Sequence, residues 1–235
     1  MTTMALHGIL MLLIGTLELA LGVYILVHRA NTRALRWYGW FVISAAAWVL
    51  GNAGAALVDE LVWKQQLFEL AYVTSSLIAT TFLLFTYYFP YQRRSITRRG
   101  IVLLFTPSAL IFLAFIVADP FIASLSIRGD QIIEVLGSLQ YPFTFMFLAY
   151  WLTALIVLAR SYIREDGTNK RTLKYLLSGV LISSVLAIGI DLILPILNEV
   201  VYDRELLFPG QDWLGSELSV VWFGYTSYIV FKKAG

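Results

Sequence analysis

Apolar residues run in long blocks along this chain, and polar residues collect between the blocks. A helix that crosses a membrane needs about 20 mostly apolar residues. Seven stretches meet that need, at approximately 7–28, 35–58, 64–89, 100–118, 139–160, 173–197 and 212–231. The pattern predicts an all-α fold: a seven-helix bundle, integral to a membrane, forming one domain over residues 1–235. One segment departs from it. Between the fourth and fifth blocks, "ASLSIRGDQIIEV" alternates apolar and polar residues around Gly129, which predicts a small hairpin. The first block begins too near the N-terminus to follow the basic region of a cleavable signal peptide. No small-residue cleavage site follows it, so it reads as a retained anchor.

Composition agrees with this reading. The chain is 59% hydrophobic and 14% charged, with a mean hydropathy of +0.77. Soluble domains average roughly 45–50% apolar and about 25% charged residues. A chain of 235 residues cannot bury the excess inside itself, so lipid must cover it. There is no cysteine, which excludes disulfides and cysteine-ligated metal and leaves the redox compartment open.

The position of the basic residues predicts the orientation. The first loop holds Arg29, Arg33 and Arg36, and the third holds Arg93, Arg94, Arg98 and Arg99. The fifth holds Arg160, Arg164, Lys170, Arg171 and Lys174, and the tail holds Lys232 and Lys233. Together these are fourteen of the 17 Lys and Arg residues; the other connections hold Lys64, Arg128 and Arg204. Cytoplasmic loops are the Lys- and Arg-rich ones, so the N-terminus is predicted outside and the C-terminus in the cytoplasm. The basic loops are read as topology signals in contact with anionic lipid. No aromatic interleaving or motif points to nucleic acid as a partner.

Several polar residues lie inside the blocks: Glu18, Asn52, Glu69, Asp191 and Glu217. No Lys, Arg or His lies deep enough to pair with them. A charge at the bilayer centre costs at least about 2.5–3.5 kcal/mol, so such residues face the bundle interior or carry a proton. Counted from the helix ends, Asn52, Glu69, Asp191 and Glu217 share one level, roughly 8–9 Å inside a core about 30 Å thick. Gln140 and Tyr141 sit just above that level at the mouth of the fifth span, and Glu18 lies deeper. Tyr72 and Ser76 accompany Glu69 on the third span. These residues predict a cavity open to the outside, lined by carboxylates, hydroxyls and aromatic rings. Acids without bases would suit a cation, an amine or a proton. The competing expectation is that they serve as interhelical hydrogen-bond glue.

A weak internal echo adds a second alternative. "RALRWYGW" opens the second span and "RTLKYLLS" the sixth, and Asn52 and Asp191 follow at nearly equal distances. Two three-helix repeats of this kind occur in some transporters, with the site at the repeat interface. Catalytic motifs are absent. There is no phosphate-binding glycine loop, no His-x-x-x-His pair and no Ser/His/Asp set. His7 and His28 stand at opposite ends of the first span and cannot share a metal. No cofactor and no enzyme activity are expected.

Four segments carry a resemblance to a known family: "AAAWVLGNAG", "FLLFTYYFP", "IDLILPIL" and "GYTSYIVFKK". In these the chain resembles the seven-transmembrane N-terminal sensor region of membrane histidine kinases. The resemblance implies an input module of two-component signalling in a prokaryotic plasma membrane. It also implies a last helix that continues into cytoplasmic signalling domains, and a homodimer. It supplies no ligand and no binding residues. The sequence ends at Gly235 without a phosphoacceptor histidine or ATP-binding domain, so the expectation is either an excised sensor module or a stand-alone protein whose output partner is separate. The predicted function is a receptor that binds an external ligand or proton and transmits through Tyr228 to Lys233. A small-molecule or ion transporter is the alternative, and a partner-binding scaffold a third.

Overall fold

The computed structural model describes residues 3–90, 96–117, 121–128, 131–189, 193 and 214–234. Seven α-helices are present among them: α1 (Thr3–Tyr24), α2 (Arg33–Leu57), α3 (Leu61–Tyr88), α4 (Arg98–Val117), α5 (Gln140–Arg164), α6 (Gly167–Ile188) and α7 (Leu214–Ala234). A π-helical turn, Ile25–Arg29, continues α1. Five of the described helices, α1 to α5, are long and apolar enough to cross a membrane. The described part of α6 opens on the charged run Lys170, Arg171 and Lys174, and residues 190–192 and 194–197 of its predicted span lie outside the described residues.

Local chemistry accounts for the helix ends. Thr32 caps α2, its hydroxyl oxygen accepting from the Leu35 amide at 3.2 Å. At the other end of α2 the Ala55 carbonyl accepts from Lys64 Nζ at 2.7 Å. A cation placed against the last carbonyls of a helix satisfies an orphan acceptor and complements the helix dipole. Lys64 therefore does not belong to a solvated connection, as its charge suggests in the sequence. It lies in α3, 2% exposed, and its hydrocarbon stem lets the ammonium reach α2 from below. The α5–α6 connection turns at Gly167, whose φ of +62° is the left-handed region that glycine enters without strain.

Helices α1 and α2 pack antiparallel along a ladder of small residues. The Cβ position of Gly8 faces Leu57, that of Gly15 faces Leu50, and that of Gly22 faces Ile43. At Gly22 a Cβ would lie 2.6 Å from Ile43 Cγ1, 3.1 Å from the Ile43 amide nitrogen and 3.2 Å from the Gly39 carbonyl. The backbones are too close for any side chain there, which is the packing that small residues permit between membrane helices. Helix α3 is central: 72% of its most apolar stretch is buried, against 11% for α4. It packs on α2, α4 and α5, while α7 closes the bundle against α1, α2 and α6. Leu13 and Leu17 on α1, and Leu103 and Leu110 on α4, are more than half exposed, so these two helices present apolar surface where lipid would lie.

The expected hairpin is present. Strands β1 (Ile122–Arg128) and β2 (Gln131–Leu136) pair antiparallel, with Arg128 opposite Gln131. Phe121 and Ile122 at its base are fully buried. Phe121 stacks on Tyr72 of α3, with ring centroids 5.4 Å apart, and meets Phe143 of α5 edge-on at 5.7 Å. This contact roots the hairpin in one end of the bundle. That end gathers the N-termini of α1, α3, α5 and α7 and the C-terminus of α2. The core divides along the bundle accordingly. One cluster, with Met11, Val49, Phe68 and Phe143, lies toward the hairpin. The other, with Tyr38, Phe41, Phe82 and Trp151, lies toward the opposite end.

Candidate functional site

Two groups of polar side chains form near the hairpin end, and an interhelical cavity lies between them. The first group is built on the opening turns of α7, where Ser216, Glu217 and Ser219 follow in quick succession. Each takes a partner from another helix. Asn52 of α2 donates to Ser216 Oγ at 3.0 Å. His7 of α1 pairs with Glu217 through Nδ1 and Oε1. Ser219 Oγ lies 2.7 Å from Glu18 Oε1 of α1 and 2.6 Å from the carbonyl of Ser216. Glu18 is 1% exposed, and its second oxygen, Oε2, has no hydrogen-bond partner.

The second group lies under the hairpin. Gln65 donates to Glu69 Oε1 at 3.2 Å and to the Ile122 carbonyl at 2.8 Å. Glu69 is 7% exposed and also accepts from the Ile122 backbone. Gln140, the first residue of α5, is fully buried, and neither end of its amide has a partner. Thr144 Oγ1, one turn on, is likewise unpartnered. Buried polar groups without partners are rare enough to need an explanation.

The cavity has a volume of about 400 Å³ and is walled by α2, α3, α5, α6 and α7. Its α5 wall is an aromatic ladder at helical spacing. Phe143 and Phe147 have ring centroids 5.9 Å apart, and Phe147 stacks on Trp151 at 5.6 Å and 10°. Trp151 in turn stacks on Phe82 at 4.4 Å and donates its indole N–H to Ser184 Oγ at 2.6 Å. Ser75 and Ser219 bring hydroxyl groups to the wall from α3 and α7, and Trp48 brings an indole from α2.

The candidate residues from the sequence are therefore distributed rather than gathered. Glu18, Asn52 and Glu217 converge on the start of α7. Glu69 and Tyr72 share α3 with the hairpin contact. Ser76 spends its hydroxyl on its own helix, bonding the Val73 carbonyl at 2.7 Å. Tyr141 is 49% exposed, pointing away from the core that takes Gln140. Asp191 lies outside the described residues. Among the described residues Tyr72 is the candidate on the cavity wall, and Glu18 reaches the wall through Ser219. The acids are also not without a base. His7 stands at the level of Glu217, which a count of depth for the acids alone passes over. Ser216, which accepts from Asn52, and Ser219, which donates to Glu18, stand on either side of Glu217 in the sequence and have no charge to mark them. Among the described residues no group of three or more His, Asp or Glu side chains could hold a metal ion.

The family described as the N-terminal 7TM region of histidine kinase matches residues 10–201. The chain belongs to that family. No curated protein matches it. Membership makes this a multi-pass integral membrane protein of the sensory input type, associated with a cytoplasmic signalling domain. The matched range takes in α1 from residue 10 onward, α2 to α6 and the hairpin, while α7 and its share of the cavity wall lie beyond it.

Proposed function

We propose that the chain binds an extracytoplasmic small molecule in the interhelical cavity and transmits its occupancy through α7 to a cytoplasmic output domain. The hairpin end faces outward in this reading, as the Lys and Arg bias of the connections requires. Ser219 is the observation that carries the proposal. It stands on the last helix, lines the cavity and contacts Glu18. Its hydroxyl has one proton and two acceptors, Glu18 Oε1 and the Ser216 carbonyl, so it serves one at a time. A ligand that engages Ser219 releases α7 from α1 or fastens it there. Only such a difference in affinity between two states lets a ligand shift an equilibrium. From Ser219 the helix runs past Thr226 and Ser227, which hold the buried Tyr38 hydroxyl at 2.7 and 2.9 Å, to the basic pair Lys232 and Lys233.

The test is the chain fused at its C-terminal end to a kinase domain, with autophosphorylation as the readout. Ser219→Ala and Glu18→Gln weaken the same contact, so both should shift basal output in one direction, by about fivefold or more if the coupling reaches about 1 kcal/mol. Thr153→Ala, on the exposed face of α5, is the control. Output indifferent to both changes sinks the proposal. The absence of cysteine makes orientation directly measurable. A cysteine at Ser138 should react with an impermeant maleimide from outside the cell, and one at Thr168 should not.

A further inference from the structure

The chemistry of the cavity wall narrows what it accepts, if the cavity is the sensory site proposed above. Among the described residues no charged side chain lines it. Rings and aliphatic side chains make most of the wall, and the polar groups are hydroxyls and indoles. A charged ligand would give up its hydration there for no opposite charge, whereas a neutral one loses little. The volume of about 400 Å³ falls in the range of small-molecule sites, about 300–1,000 Å³.

The wall also has a side where two helices part. Toward the end remote from the hairpin, Tyr225 of α7 lies on Gly179 of α6, where a Cβ would come within 2.7 Å of the ring. The Tyr225 hydroxyl bonds the Tyr175 carbonyl at 3.3 Å, which fastens the seam. One turn nearer the hairpin, Ile182 of α6 and Val221 of α7 both line the cavity, yet they are 65% and 67% exposed. They stand at the rim, in the middle of helices that lie in the membrane, where the surrounding medium is hydrocarbon.

The geometry points to a ligand drawn from the bilayer: a neutral, lipid-soluble small molecule with one hydrogen-bonding group, entering between α6 and α7 past Ile182 and Val221. Its apolar body lies along Phe143, Phe147 and Trp151, and its polar group meets the Ser219 hydroxyl.

The cavity carries its own reporter, because Trp48, Trp151 and Trp222 are on its wall. The full chain in nanodiscs is titrated with 11-bromoundecanol, with 11-bromoundecyltrimethylammonium and, in separate discs, with phosphatidylcholine brominated on its chains, while tryptophan quenching is followed. Ala45→Phe fills the cavity from α2, and Ser75→Leu fills it independently from α3 should the first variant fail to fold. Saturable quenching by the alcohol that falls severalfold in either filled variant supports the proposal. Val221→Phe should slow its onset; an unchanged onset overturns the lateral entrance. Equal saturable quenching by the ammonium probe overturns the neutral class and leaves the cavity as the sensory site. Filling-sensitive quenching by the phospholipid alone makes the occupant a bilayer lipid and overturns the small-molecule assignment. Quenching by every probe that ignores both fillings removes the sensory site itself.

Discussion

The seam between α1 and α2 and the seam between α6 and α7 use the same residue, glycine, to opposite effect. In the first, Gly8, Gly15 and Gly22 bring one backbone against the other, and the neighbours at Gly22 include an amide nitrogen and a carbonyl oxygen that cannot move aside. In the second, Gly179 makes room for the ring of Tyr225, a side chain 40% exposed and held by a single 3.3 Å hydrogen bond to the Tyr175 carbonyl. One seam is closed by main chain and the other by a swinging aromatic. The cavity borders the second, on α6 and α7. In the reading proposed above, α1 and α2 belong to the frame, and α6 and α7 to the part whose spacing changes.

Adding a methyl group to each seam should break the symmetry. Gly22→Ala should cost about 3 kcal/mol, the upper part of the usual overpacking range, because backbone must shift. Gly179→Ala should cost less than about 1 kcal/mol if Tyr225 swings away, below the usual range for overpacking. Thermal unfolding of both variants in detergent measures the difference, and equal losses would show the seams to be alike. The next effect is at Lys64. Lys64→Met leaves the Ala55 carbonyl buried without its donor and should cost about 1–3 kcal/mol. Protease cutting at the α2–α3 connection, Val58 to Glu60, should rise with it. The last is Trp151→Phe, on the cavity side. It keeps the aromatic stack and removes the bond to Ser184, for a loss of about 1 kcal/mol. A loss as large as that at Gly22 would mean that α5 and α6 belong to the frame.

Much of the fold was legible in the sequence because membrane helices declare themselves by length and hydropathy. The third block, 64–89, corresponds to α3 at Leu61–Tyr88, and the alternation about Gly129 to the hairpin. The family also showed in short segments, of which "AAAWVLGNAG" on α2 and "FLLFTYYFP" at the end of α3 lie inside the matched range, while "GYTSYIVFKK" on α7 lies beyond it. Partnerships were less legible. Depth along a helix says which groups share a level, and Asn52 does meet the residue beside Glu217. It does not say which way each helix is rotated. Rotation sends Glu69 to the hairpin and Glu217 to His7. The length of a side chain hides a second kind of information. Lys64 reads as a loop charge until its stem is seen to reach across to α2. The cavity has no sequence signature at all, since Phe143, Phe147 and Trp151 repeat like any core stripe, and a void is set by what fails to fill the space opposite.

The spacing of the three glycines on α1 has a geometric consequence. Seven residues fall just short of two full turns, so a straight helix would carry such a row about 20° around its axis at every repeat. Gly8, Gly15 and Gly22 nevertheless all stay pressed to α2. A seven-residue period is the one that a left-handed winding of the two helices keeps in register. The π-helical turn at Ile25–Arg29 begins three residues after the last of them and still packs on α2, with Leu26 against Gly39. Along that stretch the chain counts in sevens: a length change of one residue would rotate everything beyond it by about 100°, and only whole pairs of turns could be added or removed in phase.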